Sequence, residues 1–173
     1  AQCTDKRVNI VTAELFKSYR SATDYAKASP SDLEQEIKTT GFFRNKAKNI
    51  QACCRKIINL HGGEVPRTME ELTHLDGVGR KTANVVLGNA FATPGITVDT
   101  HVGRIARLLR LTSATDPEKV ERDLMRLFPR PTWTLLSHLL ISHGRAVCIA
   151  RRPRCEACPV RALCPGAKPT AHA

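Results

Sequence analysis

The stretch LDGVGRKTANVVLGNAFATPGITVDTH, Leu75 to His101, decides the fold. It opens on a tight turn, Gly77-Val78-Gly79, between two stretches of helical character. Upstream, Thr68-Met69-Glu70-Glu71 has the spacing of a capping box and starts a short helix. Downstream, Ala83, Val86, Leu87 and Ala90 give a second helix an apolar face. Two glycines let the backbone take positive φ and come close to a ligand. Amides freed at Gly77, Val78 and Gly79, and at the helix N-terminus beginning with Arg80, suit a phosphate oxygen. Lys81 lies in the first turn of that helix, and the chain then returns through Ile96-Thr97-Val98 to Asp99.

The rest of the chain is written in helices too. Val8, Val11, Leu15, Phe16 and Tyr19 form a stripe over about Asp5 to Arg20. Ser29-Pro30-Ser31-Asp32 starts a short helix that ends by Gly41. Ala47, Ile50, Cys54, Ile57 and His61 share a face of the next, which Gly62-Gly63 stops, while Lys46, Lys48, Arg55 and Lys56 read as its solvated side. Cys53 and Cys54 are adjacent and so point apart, which suits small core residues rather than a metal pair. Asp99 caps a helix carrying Val102, Ile105, Ala106 and Leu109, with His101 as a structural hydrogen-bonding residue. Arg104, Arg107 and Arg110 on that helix read as phosphate contacts or as solvated charge. Thr115-Asp116-Pro117-Glu118 opens another helix, with Val120, Leu124 and Leu127 inward. The last helix carries Trp133, Leu136, Leu139 and Leu140 and runs to about Gly144, and Pro165 to Ala173 form a loose tail.

At 173 residues, 42% of them hydrophobic, the chain suits one domain or two small ones sharing a core. A net charge of +11 calls for a polyanionic partner, nucleic acid above all. No apolar run approaches the roughly 20 residues that span a bilayer, so no membrane partner is expected. Of seven cysteines, four cluster near the end. An odd number so clustered speaks against a secreted disulfide framework and for a metal site in a reducing cytosol.

The four are Cys148, Cys155, Cys158 and Cys164, spaced C-x6-C-x2-C-x5-C. Thiolates held so close repel one another unless a cation offsets their charge. By residue type they fit zinc or an iron–sulfur cluster. The loop between the first two carries Arg151, Arg152 and Arg154, stiffened by Pro153. Pinned at both ends by its cysteines, it presents guanidinium groups whose planar fork matches phosphate.

LDGVGRKTANVVL followed by VDTH, with CIARRPRCEACPVRALCP, resembles the endonuclease III family of helix-hairpin-helix DNA glycosylases with an associated lyase activity. The resemblance covers essentially the whole chain. It implies Lys81 as nucleophile, Asp99 as the essential carboxylate, and a [4Fe–4S] cluster on the four cysteines. It also implies Gln2 as the residue entering the DNA gap left by an extruded base, and Phe42 as the apolar wedge beside it. One departure is Asp76, where the family's hairpin commonly carries proline, so a negative charge is expected near the phosphate. The expected fold is all-α in two lobes. Residues 1–91 make a helical bundle with the hairpin, and residues 92–173 a helical lobe with the cluster loop, with Lys81 and Asp99 facing the cleft between.

The implied activity is base-excision repair. A damaged base is extruded at a cost of a few kcal/mol. The Lys81 amine displaces it, and the strand is cut 3′ to the site. Expected partners are double-stranded DNA with oxidised pyrimidines or abasic sites, met by a monomer in the cytoplasm of a bacterium-like cell. The alternative is a non-catalytic helix-hairpin-helix DNA-binding protein with a structural metal site. Ala1 and the abrupt start at AQCTD predict an N-terminally truncated fragment.

Overall fold

The computed structural model describes residues 3–167. Its described elements are helices and short 3-10 turns, with no strand among them, so the chain is all-α. It divides into two compact units, Ala1–Gly79 and Arg80–Ala173. Lys81 and Asp99 therefore fall in the same unit.

The first unit holds α1 (Asp5–Ser18), α2 (Ala22–Lys27), α3 (Pro30–Glu36), α4 (Phe43–His61) and α5 (Met69–Thr73). Its core gathers Leu15, Leu33, Ile37 and Ala47, with Val11, Phe43 and Ile50 against them. Local chemistry sets the helix ends. Thr4 accepts from Arg7 N–H at the start of α1, and Ser21 and Asp24 complete a reciprocal capping box on α2. Pro30 opens α3, and Gly62 ends α4 with φ 63°. The stripe expected on α1 is only partly inward. Leu15 is buried, but Phe16 is 62% exposed and Val8 36%, because the described part of this unit covers only the Leu15 side.

The second unit holds α6 (Arg80–Ala90), α7 (Thr100–Leu108), α8 (Pro117–Leu127) and α9 (Trp133–Ala146), followed by the cysteine loop. Its core is Ile96, Val102, Ile105, Ala106, Val120, Leu124 and Leu140. Asp116 caps α8 by accepting from Lys119 N–H at 3.0 Å, with Pro117 behind it. Helix α9 packs closely on α7 through Gly144, where a Cβ would come within 2.7 Å of the His101 ring. Leu127, expected inward, faces solvent instead at 56% exposed, and on α9 Leu139 is 58% exposed. Their helices bury one narrow face, and Leu124 and Leu140 already occupy it.

Candidate active site and cluster loop

The hairpin turn belongs to the first unit. Thr68 Oγ1 accepts from Glu71 N–H at 3.2 Å and its hydroxyl donates to the Glu71 carboxylate at 2.7 Å, which starts α5 as expected. Gly77 has φ 74°, and a Cβ there would lie 3.0 Å from Asn49 Cβ on α4, so this position needs glycine twice over. Gly79 is different. It does not take a left-handed conformation, and a Cβ there meets nothing within 4 Å. Only one of the two glycines is needed for positive φ, because a single reversal at Gly77 turns the chain. The bare, open side of Gly79 is what a ligand backbone needs for close approach. The Val78 N–H is spent inside the turn, donating to Leu75 O at 3.2 Å, so the amides left for an anion are those of Gly77 and Gly79.

Asp76 does not stand as an uncompensated charge. Lys56 Nζ lies 3.0 Å from its carboxylate and also donates to His74 O at 2.9 Å. Lys56, expected on a solvated face, therefore ties α4 to the turn and offsets the charge of Asp76.

Lys81 is the second residue of α6, exposed and without a hydrogen-bond or ion-pair partner among the described residues. With Asn84, Val98, Asp116 and Glu118 it lines a cavity of about 180 Å³. Its neighbour Arg80 points elsewhere. Arg80 Nε donates to Glu121 at 2.6 Å and Nη2 at 3.1 Å, and these hydrogen bonds hold the guanidinium above its usual arginine range. The phosphate contact expected at Arg80 therefore falls to the helix N-terminus that it begins, since its fork is taken up by Glu121. Asn84, buried, donates to Glu121 Oε1 at 3.0 Å and to Ile96 O at 3.1 Å. Glu121 and Asn84 were missed in the sequence. The available signal was weak: Glu121 stands at helical spacing from Leu124 and Phe128, a polar residue on an inward face.

Asp99 caps α7, its Oδ1 accepting from Val102 N–H at 2.8 Å. That bond fixes the direction of a half-buried carboxylate whose second oxygen has no partner among the described residues. His101 makes no hydrogen bond among the described residues and packs on Gly144, so its role is fit rather than bonding.

Cys148, Cys155, Cys158 and Cys164 are free thiols, half-buried, and line one cavity of about 200 Å³. The loop closes on itself, Arg154 N–H donating to Val147 O at 2.9 Å and Cys158 N–H to Cys155 O at 3.2 Å. Among the described residues no three ligating side chains converge on the point a single ion would occupy. Four cysteines that line one cavity match the thiolate donor set of an iron–sulfur cluster. Arg104 on α7 supplies a countercharge: Nη1 donates to Cys148 Sγ at 3.3 Å and Nη2 to Cys148 O at 2.6 Å. It thus serves the cysteine loop, where phosphate contact or free solvation was expected. His143 Nε2 lies 3.7 Å from Cys158 Sγ.

Arg151, Arg152 and Arg154 are exposed and unpaired among the described residues. Phe42 is 66% exposed on a backbone with φ 50°, while Phe43 joins the core. A left-handed phenylalanine costs about 1–3 kcal/mol, and here that strain holds a large apolar side chain out in solvent. Burial pushes the Cys54 thiol up to about 11 and raises that of Cys53, which marks both as unreactive packing residues. Gln2, and the tail beyond Ala167, lie outside the described residues.

The family described as HhH-GPD superfamily base excision DNA repair protein matches residues 1–130, and the iron-sulfur binding domain of endonuclease III matches residues 148–164. The endonuclease III of Synechocystis is 56% identical over 169 residues, which are 97% of this chain and 77% of that one. That of Bacillus subtilis is 49% identical over 95% of this chain and 75% of its own. Among solved structures, a trapped endonuclease III–DNA covalent intermediate matches with a TM-score of 0.93 at 46% identity, covering 96% of this chain and 79% of its own. A thermostable thymine-DNA glycosylase matches with a TM-score of 0.84 at 25% identity, over 95% and 78%.

Proposed function

The chain belongs to the endonuclease III family, base-excision repair DNA glycosylases with AP lyase activity and a [4Fe–4S] cluster, and from that premise we propose that it excises oxidised pyrimidines from duplex DNA with Lys81 as nucleophile and Asp99 as the essential carboxylate. The observation that carries the assignment is the exposed, unpaired Lys81 in the first turn of α6, in the same compact unit as Asp99. In the proposed reaction the neutral Lys81 amine attacks the sugar C1′. The bond from C1′ to the base breaks, its electron pair leaves with the base, and the base takes up a proton. The amine, having given up one proton, expels O4′ from C1′; O4′ takes up a proton, and a protonated Schiff base remains. Removal of a C2′ proton then breaks the C3′–O bond and cuts the strand by β-elimination. Asp99 stabilises positive charge developing on the sugar and moves protons to and from the sugar ring. Its cap bond from Val102 N–H supports this role, because a carboxylate aimed in advance needs no reorganisation.

Gly77 and Gly79 would receive a backbone phosphate, and the exposed Arg151, Arg152 and Arg154 would add phosphate contacts outside the lesion. Phe42 would fill the step emptied by the extruded base. Cys148, Cys155, Cys158 and Cys164 would hold the cluster, which when bound ties the loop into a rigid unit. One chain carries every group this chemistry uses, which supports action as a monomer. Four thiolates committed to a cluster support a reducing cytoplasm, with the nucleoid as the place of work.

Borohydride trapping tests the assignment. The protein should form a covalent adduct with duplex carrying an oxidised thymine, and Lys81→Ala should abolish it while DNA binding persists. Trapping by Lys81→Ala at the wild-type rate would remove Lys81 as nucleophile. Release of only adenine from mispairs would overturn the substrate class. A wild-type protein that binds but never traps or cuts would be a non-catalytic DNA-binding module.

A further inference from the structure

Glu121 is a buried carboxylate, its side chain 4% exposed, that the reaction above does not use. It faces the Arg80 guanidinium through two hydrogen bonds, and Asn84 shares its Oε1. Asn84 also donates to Ile96 O, three residues before Asp99. The fit is close, since any side chain at Gly95 would run into the Asn84 amide. On the other side of the same segment, Thr97 N–H donates to Ser137 Oγ at 2.9 Å, so the approach to Asp99 is held from two directions. Helix α6 itself is fixed at its far half against α9, where Gly88 meets Thr134 and Asn89 Oδ1 lies 3.0 Å from His138 Nε2. At its near end, beside Lys81, it is held through Glu121.

We propose that Glu121 is a positioning residue for the lyase reaction, clamping the first turn of α6, which carries Lys81, to the segment that delivers Asp99. The inference rests on the reading of Lys81 and Asp99 given above. The physical reason lies in how a partly exposed guanidinium grips a buried carboxylate, Arg80 being 42% exposed and Glu121 4%. Well-packed apolar groups stabilise as much or more, so a carboxylate retained in the interior contributes geometry rather than stability. A bidentate Arg–carboxylate fork is directional and fixes the rotation of the helix turn it grips. Asn84 carries that constraint to the backbone leading to Asp99. Nucleophile and carboxylate, from different elements, are thus referred to one buried point. Misplacement of a reacting group by about 1 Å costs on the order of 100-fold in rate.

The test uses the cluster-loaded protein, abasic-site duplex at saturating concentration, and single-turnover borohydride trapping. Affinity is measured separately on uncleavable duplex. Glu121→Gln should slow trapping roughly 10- to 100-fold while Kd changes little. Because that variant leaves Arg80 facing a neutral partner and is at risk of misfolding, the double variant Arg80→Gln/Glu121→Gln removes both charges together. It should melt close to wild type and still trap slowly. A merely structural Glu121 would lower the melting temperature and leave the rate per folded molecule unchanged. If the double variant folds and traps at the wild-type rate, the inference is overturned. Lys81→Ala and Asp99→Asn run alongside: if either traps like wild type, the underlying assignment has failed, whereas normal loss in both with full activity in the Glu121 variants defeats the positioning role alone.

Discussion

Replacing each hairpin glycine by alanine separates the turn's fold from its binding. At Gly77 the backbone has φ 74°, a conformation that costs an ordinary L-residue about 1–2 kcal/mol. The new Cβ would also lie 3.0 Å from Asn49 Cβ, an atom fixed to α4 that no rotamer change can move aside. Together these should destabilise Gly77→Ala by about 2–3 kcal/mol. For a chain of this size each kcal/mol lowers the melting temperature by about 2–4 °C, so a fall of about 5–10 °C is expected. At Gly79 neither obstacle exists, and alanine should leave stability equal or raised by about 0.4–1 kcal/mol through its stiffer unfolded chain. Its methyl group, however, occupies the open space through which a phosphate reaches the amides. Losing one hydrogen bond to a charged group costs about 1.5–3 kcal/mol, so affinity for undamaged duplex should drop roughly tenfold or more. Thermal melts and fluorescence-anisotropy titrations at one fixed salt concentration measure both quantities. A Gly77→Ala protein that melts with wild type refutes the strain argument, and a Gly79→Ala protein that binds DNA like wild type refutes the phosphate site.

Other outcomes follow from the remaining geometry. Anaerobically purified protein should contain about four iron and four sulfide per chain, and stoichiometric zinc without iron would contradict the reading of the cysteine cavity. Replacing Arg151, Arg152 and Arg154 by alanine together should lower the slope of log affinity against log salt by about 0.9 for each phosphate no longer neutralised, equally on damaged and undamaged duplex; an unchanged slope would confine the loop to a structural role. With its thiol pushed up to about 11, Cys54 is roughly one-thousandth thiolate at pH 8. Its alkylation rate in folded protein should therefore rise about tenfold per pH unit from 8 to 10, and a rate that levels off between pH 9 and 10 would show an ordinary thiol of about 8.5.

Much of this protein is legible in the amino-acid sequence because the deciding interactions join near neighbours. Thr68 and Glu71, Asp99 and Val102, and Asp116 and Lys119 are caps three residues long, set by local spacing, although Ser29 at the start of α3 makes no such bond. The helical class follows from apolar residues at helical spacing, and the cluster loop from four cysteines whose charge has to be offset. Tertiary structure alone decided which side of a stripe is covered, so Phe16, Leu127 and Leu139 face solvent although their periodicity is that of core residues. It also chose the partners of the long polar side chains. Arg80 went to Glu121, Arg104 to Cys148 and Lys56 to Asp76, where the sequence showed only basic residues beside a polyanion-binding motif. A cap is fixed by backbone geometry within one turn. A guanidinium or ammonium on a flexible stem takes whichever carboxylate, thiol or carbonyl the folded backbone brings within reach, and that partner lies tens of residues away along the chain.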